Sequence, residues 1–494
     1  MPSAKQLGDL VKLDIYDASV SEAAGQTYFL ARRGAEKLVG CVGDPCLWNV
    51  QKLGELGGRC VCVGPADHAN AQALRQRLAW TAPRCVGLAT SAGLGDRLGL
   101  ATPAHVRAVR GTGLAPVLAQ QSIREMTRTQ RSADEVMDAA TWGVFQEGWR
   151  DGFGSDADHL QKIENIDYTF AAGFTMFTID PGAHVNNHPY GLAGAEPNAA
   201  FAALDFAALE TSAADMRRAY ADKSFPLHGG GEIRLSAQDL ARAAVKYGRA
   251  VAHTAGMYRH LAHLAGGRPF ELEVSVDETD SPTTPAEHYL FASELKRLGV
   301  KWVSMAPRFV GRFEKGVDYI GSTEVFRQSF AQHVAVMRTL GPYKISIHSG
   351  SDKFSIYPIV AELAGPYVHL KTAGTSYLEA LRAIATSRPA LFREILDFAR
   401  LRYDTDKASY HVSASVAKVP SAEQLKDAQL PELLGQFDAR QVLHCTFGSV
   451  LTLRDPAGRL VFRDRLLEAL RADEETHYRI VEAHLRKHLT PFAG

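Results

Sequence analysis

Residues 343–371 read YKISIHSGSDKFSIYPIVAELAGPYVHLK, and this stretch decides the fold. From Lys344 to His348 the residues alternate, with Ile345 and Ile347 on one face and Lys344, Ser346 and His348 on the other. That is the period-2 pattern of a β-strand. After a loop and a helical stretch, a second strand puts Val368 and Leu370 on one face and His369 and Lys371 on the other. Long helical patterns flank both strands, as in parallel α/β proteins whose sheets are covered on both sides. A polar face inside such a sheet costs free energy unless it lines a site. Two strands with the same inner face therefore predict one shared pocket.

Working outward, six more apolar runs complete a strand–helix rhythm. They are residues 85–90, 115–121, 153–158, 174–180, 270–278 and 302–306, and the two strands above (343–348 and 367–371) bring the set to eight. Eight strands alternating with helices predict a (β/α)8 TIM-type barrel, with a doubly wound open sheet as the rival. Each run ends in polar residues, and the C-terminal strand ends of barrels carry the chemistry. The expected division is a small α/β region over 1–84, the barrel over 85–390 and a mainly helical region over 391–494. Between the fourth and fifth strands lie too many residues for one crossover. A helical insertion over the barrel mouth is expected at about 184–266, around the turn His228-Gly229-Gly230-Gly231. Residues 410–415 read as a last strand-like piece and 474–489 as an amphipathic terminal helix.

Composition excludes several classes. Lys plus Arg (55) equals Asp plus Glu (55), which gives no electrostatic case for nucleic acid or an anionic membrane. No apolar run approaches the roughly 20 residues of a spanning helix. Six cysteines in 494 residues do not form a disulfide scaffold, so a cytoplasmic protein with free thiols is expected. The run from Gly93 to Gly99 departs from the G-x-G-x-x-G spacing, because position 98 is Leu, and reads as a turn that offers Arg97 to an anion. No G-x-S-x-G elbow accompanies the His228 turn, which argues against a serine hydrolase.

The candidate chemistry comes from strand faces. Glu271, Glu273, Ser275 and Asp277 share one face of the fifth strand. Buried carboxylates there need a counter-charge. A divalent cation held by Glu273, Asp277, His348 and His369 would supply it, and zinc, manganese, nickel and cobalt all suit such donors. A buried salt bridge from Glu273 to Lys344 or Lys371 is the alternative. Glu278 is second choice as ligand and a candidate base, as is Asp158, with Lys371 a third catalytic candidate. Arg97, Gln121, Asp180, Ser349, Asp352 and Lys353 follow strand ends and are candidate substrate contacts, Arg97 or Lys353 for a carboxylate.

Several runs carry a family resemblance: SDADHL (155–160), VDETDSPTTPAEHY (276–289), SIHSGSDKFSIYP (346–358), HLKTAGTSYLEALR (369–382) and HCTFGSVL (444–451). Together with GLGDRLGLATPAHVRAVRG (93–111), TIDPG (178–182) and YHVSAS (410–415), they resemble the tagaturonate epimerase family over most of residues 90–455. The resemblance implies interconversion of D-tagaturonate and D-fructuronate with a divalent metal. The partners expected are a sugar-acid substrate and, as an open option, further copies of the chain in a homo-oligomer. A Schiff-base aldolase, an NAD-dependent enzyme and a non-catalytic sugar-binding protein stand as rival readings.

Overall fold

Eight parallel strands close into a barrel in the computed structural model, which describes residues 1–44, 47–188, 191 and 195–493. They are β1 (Ser91–Leu94), β2 (Ala115–Ser122), β3 (Gly154–Leu160), β4 (Met176–Ile179), β5 (Glu271–Val276), β6 (Ser304–Pro307), β7 (Lys344–Ile347) and β8 (Val368–Thr372). Each pairs with its neighbours in chain order, and β8 closes on β1 through the register His369↔Ser91. The open-sheet rival is thereby excluded. Apolar positions such as Ala92, Val274, Ile345, Ile347 and Leu370 pack outward into the main core cluster with the surrounding helices.

The first strand lies at Ser91–Leu94 rather than at 85–90. Gly87 adopts φ +63, which interrupts any extended run, and its N–H donates to Glu271 at the N-terminal end of the barrel. Residues 85–90 therefore close the floor. The strand-like piece at 410–415 forms no strand. Its amides are taken by side chains instead: Ser413 by Glu314 and Gln441, and Ser415 by Asp438.

The region expected to be a helical insertion contains short helices (Glu196–Ala202, Ala213–Tyr220) and a hairpin, Lys223–Pro226 with Glu232–Leu235. His228 to Gly231 is the hairpin turn, with φ +87, +107 and +79 at its glycines, a conformation that favours residues without Cβ. The 29-residue helix Ala237–Ala265 packs on Pro285–Arg297 and Ile163–Ala171, so it belongs to the outer ring of the barrel. The hairpin reaches an outer helix, His228 N–H donating to Thr339. Residues 189–190 and 192–194 of this region lie outside the described ones.

The N-terminal segment forms an antiparallel six-stranded sheet. Period-2 alternation splits its faces: Phe29 and Ala31 pack with Leu7 and Val11 of the first helix, while Tyr28 and Leu30 pack with Leu74 and with Trp142 and Phe145 of the barrel helix Ala133–Glu147. After β8 the chain is helical, and its last helix, Glu474–Leu489, packs back on Thr102–Val109 and Thr375–Ser387. No helix among the described residues is long and apolar enough to cross a membrane.

Candidate active site

The polar strand faces point into the barrel and form successive layers along its axis. At the N-terminal end, Lys344 Nζ donates to Ser91 Oγ at 2.9 Å, and His369 Nδ1 lies 2.9 Å from the same hydroxyl. Further up, Lys371 Nζ sits 2.7 Å from Asp156 Oδ2, 2.7 Å from Asp158 Oδ1 and 2.8 Å from Glu273 Oε1. It also donates to Thr178 Oγ1 at 2.7 Å, and Gln120 Nε2 donates to Asp158 Oδ2 at 3.2 Å. At the C-terminal mouth, His348 Nε2 is 2.5 Å from Glu273 Oε1 and its Nδ1 is 3.3 Å from Asp277 Oδ1.

A bulge adds one more group. The β3–β4 register runs Phe177↔Ala157 and then Ile179↔Leu160, so β3 carries one extra residue over this interval. His159, with φ +51, lies within it. Such a bulge re-aims side chains, and here two consecutive residues, Asp158 and His159, both serve the mouth. His159 Nδ1 lies 3.1 Å from Asp180 Oδ2, and its ring meets that of His348 edge-on at 5.1 Å. Asp158, His159 and His348 each offer a ligand atom, and these lie within 4.8 Å of one another, as do those of His159, Asp180 and Glu278.

The electrostatics follow from an excess of carboxylates over cations. Burial works against the Lys371 ammonium, yet Asp156, Asp158 and Glu273 hold its pKa well above the usual lysine value. Burial pushes Asp156 up to about 6 against the pull of Lys371. His159 is desolvated, but Asp158, Asp180 and Glu278 raise it to about 10. Burial and Lys371 both act downward on His348, and Asp277 and Glu273 overcome them to reach about 9. Two imidazoles are thus drawn into their cationic form by a pocket short of positive charge. Nitrogen and carboxylate donors around such a deficit fit a divalent transition-metal ion. His369 differs: burial takes it down to about 3, so it stays neutral.

Beside this cluster opens a cavity of about 240 Å³, walled by Asp277, Glu278, Lys315, His348, Ser349 and Tyr410 among others. Glu278 is held at its rim by Arg124, 3.0 Å away. Lys315 Nζ donates to Ser349 Oγ at 2.6 Å, and Arg308 and Arg312 complete a basic wall.

Of the residues singled out from the sequence, Asp158, Asp180, Glu273, Asp277, Glu278, His348, Ser349 and Lys371 come together here. His369 does not join His348; it stays with Ser91 and Lys344 at the other end of the barrel. The Glu273–Lys371 salt bridge is formed, alongside the His348 contact. Gln121 makes no side-chain hydrogen bond, and its neighbour Gln120 reaches Asp158 instead. Arg97 is buried against Glu125 at 2.8 Å and stacked 3.7 Å over Phe447. Lys353 is fully buried, its ammonium donating to the carbonyls of Glu314, Val317 and Ser351. Neither cation lines the cavity. Asp352 pairs with Arg440 at 2.7 Å and His484 at 2.6 Å, and its N–H donates to His488 Nε2. Those donors are spent on one another, and they tie the last helix to the loop after β7.

His159 and Lys315 had not been singled out. The first was legible only as the polar end of SDADHL, because a bulge leaves no periodic mark. The second lies in residues 308–322, a long loop after β6 with Arg308, Arg312 and Lys315 at intervals of four and three.

A closed parallel barrel whose mouth gathers acids, imidazoles and an ammonium around a sugar-sized cavity defines a barrel enzyme for proton-transfer chemistry on a small polar substrate. The comparisons narrow that class to the carbohydrate epimerases. A family model described as tagaturonate epimerase matches residues 16–492, and the chain belongs to that family. It is 40% identical over 483 residues to the tagaturonate/fructuronate epimerase of Thermotoga maritima, with 97% of each chain covered. Crystal structures of the fructuronate-tagaturonate epimerase UxaE from Cohnella laeviribosi, one native and one with glycerol, superpose with TM-score 0.92 at 35% identity. Both cover 99% of this chain, and the match spans 99% of the native relative and 98% of the glycerol complex.

Proposed function

We propose that the chain interconverts D-tagaturonate and D-fructuronate by breaking and re-forming the C3–C4 bond, using a divalent cation at the barrel mouth. The observation that carries this reading is the Asp158, His159 and His348 group, with ligand atoms within 4.8 Å, in a chain of the tagaturonate epimerase family.

The two ketouronates differ at C3, and the ketone is at C5. The inverted carbon is β to the carbonyl, so enolisation alone leaves C3 untouched. Cleavage of C3–C4 gives an aldehyde and an enediolate, and the aldehyde turns its other face before re-addition. A bound divalent cation supplies stabilisation of negative charge developing on the carbonyl and neighbouring hydroxyl oxygens. Asp158, His159 and His348 would hold it, with Asp180 orienting His159 through Nδ1. Glu273 and Asp277, one at each ring nitrogen of His348, complete the acidic wall.

Glu278 lines the cavity and is the carboxylate placed to take the C3 hydroxyl proton during cleavage and return it on re-addition. Asp158, by contrast, is counted among the residues that would hold the cation and so is not assigned this proton. General acid–base groups contribute about 10²–10⁴ in rate, so Glu278→Gln should lower kcat by that factor with little change in KM. Lys371 keeps Asp156, Asp158 and Glu273 in register. As an ammonium ringed by carboxylates it is no amine nucleophile, so borohydride added during turnover should leave no covalent adduct by mass spectrometry. Trapped substrate on Lys371 would favour the Schiff-base route instead.

Lys315 and Arg308 are the cations placed for the substrate carboxylate. Lys315→Met should raise KM for tagaturonate at least about tenfold, the loss of roughly 1.5–3 kcal/mol expected for a charged hydrogen bond. KM for uncharged tagatose should barely change. Equal losses for both sugars would assign Lys315 to the fold.

The mechanism is tested in heavy water. C3 hydrogen should survive epimerisation unexchanged, and 13C at C3 and C4 should show an isotope effect. Deuterium at C3 of the product would exclude bond cleavage.

A further inference from the structure

A second cavity, of about 450 Å³, lies where the N-terminal sheet, the barrel and the C-terminal helices meet, away from the catalytic mouth. Each of the three parts gives it a wall. The sheet supplies Arg32 and Lys37, the barrel supplies Leu100 and Trp142, and the C-terminal helices supply Arg471 and His477.

Its polar groups are incompletely used. His477 is 1% exposed, and neither ring nitrogen has a hydrogen-bond partner. A buried polar side chain left bare in a native protein calls for a specific reason. Arg471 is exposed and makes no hydrogen bond or ion pair among the described residues. The carboxylate that could neutralise this wall is already committed. Glu474 Oε1 accepts from Tyr16 and Arg32, and its Oε2 accepts from Tyr478 and lies 3.8 Å from Lys37. Arg32, Lys37 and Arg471 therefore face the cavity against Glu474 and the strand residue Glu36, and Lys37 also donates to Gln146 and Tyr478.

The remaining wall is apolar. The ring of Trp142, with Leu100, Pro103 and Leu470, forms it. A basic edge beside an apolar wall matches a ligand with an anionic group on an apolar body.

We propose that this junction is a binding site for a small organic anion, a phosphate or carboxylate carried on an apolar body, held by Arg471 and His477 with the apolar body against the wall that Trp142 shares with Leu100 and Leu470. It gives the N-terminal sheet a role that the catalytic mouth does not. A ligand touching all three parts binds only when they are assembled, and so it stabilises the assembled chain. The βα loop after β1 forms part of the wall through Gly99 and Leu100.

The test uses phenyl phosphate, benzoate and inorganic phosphate as probes on the full chain, read by isothermal titration and thermal unfolding. Phenyl phosphate or benzoate should bind saturably and raise Tm, and whichever binds tighter identifies the anion. Arg471→Ala, an exposed change that leaves the fold intact, should weaken binding at least tenfold, and His477→Gln should weaken it by a smaller factor. Phe437→Ala, in a separate surface cleft, should change nothing. The proposal is overturned if none of the probes binds, or if Arg471→Ala binds them as tightly as the native chain does, which would place them at the catalytic cavity. Inorganic phosphate binding as tightly as phenyl phosphate would overturn the apolar half of the assignment.

Discussion

Lys371→Met is expected to lose about 3–5 kcal/mol of unfolding free energy, the cost of leaving buried charges without their partner. Asp156, Asp158 and Glu273 all lie within 2.8 Å of its ammonium, and all are buried. Without Lys371, three buried carboxylates face one another inside the barrel, and folding must protonate them or let water in. The defect should therefore ease as pH falls, since protonation removes the repulsion, and urea midpoints at pH 5 and pH 8 would show it. Activity should fall by at least about 10²–10³, the usual loss when one preorganised electrostatic group is removed. Lys371→Arg restores the charge but as a wide planar fork rather than a compact three-donor ammonium, so it should recover more stability than activity. Native stability and full turnover in Lys371→Met would show that another group neutralises the cluster.

The barrel was legible because its strands are buried on both sides. Ile345, Ile347, Val368 and Leu370 mark the outer face, and the polar residues between them could only face inward. The alternation of Lys344, Ser346 and His348 thus predicted a polar interior before any geometry. What it could not give was height along the axis. His348 and His369 sit on equivalent inner faces, yet one is at the mouth and the other beside the floor residue Ser91, because strand shear and starting point are not written in a period-2 pattern. The first strand was displaced for a related reason: residues 85–90 are as apolar as a strand, and only Gly87 at φ +63 breaks them. Arg97 and Lys353 were legible as cations after strand ends. Their partners, Glu125 and the backbone of the β6 loop, come from distant parts of the chain that periodicity does not connect.

That difference in height separates two otherwise similar substitutions. His348→Ala should abolish detectable epimerase activity and metal retention after gel filtration, while circular dichroism keeps the native fold and Tm falls less than in Lys371→Met, because two buried carboxylates rather than three lose their partner. Its ring contacts Glu273 and Asp277 at the mouth and shares the ligand group with Asp158 and His159. His159→Ala should behave alike, since His159 is common to both ligand groups that include mouth residues. His369→Ala should retain metal and a substantial part of kcat. Its imidazole is neutral and hydrogen-bonded to Ser91, so removing it leaves a small cavity at the closed end and costs stability rather than chemistry. Chelation by EDTA should silence the native chain and the His369 variant alike, with activity returning on addition of a divalent ion. If His369→Ala lost its metal while His348→Ala kept it, the ion would sit deeper in the barrel. If both variants kept metal and turnover, neither histidine would be a ligand, and the ion would be held by the carboxylates at the mouth alone.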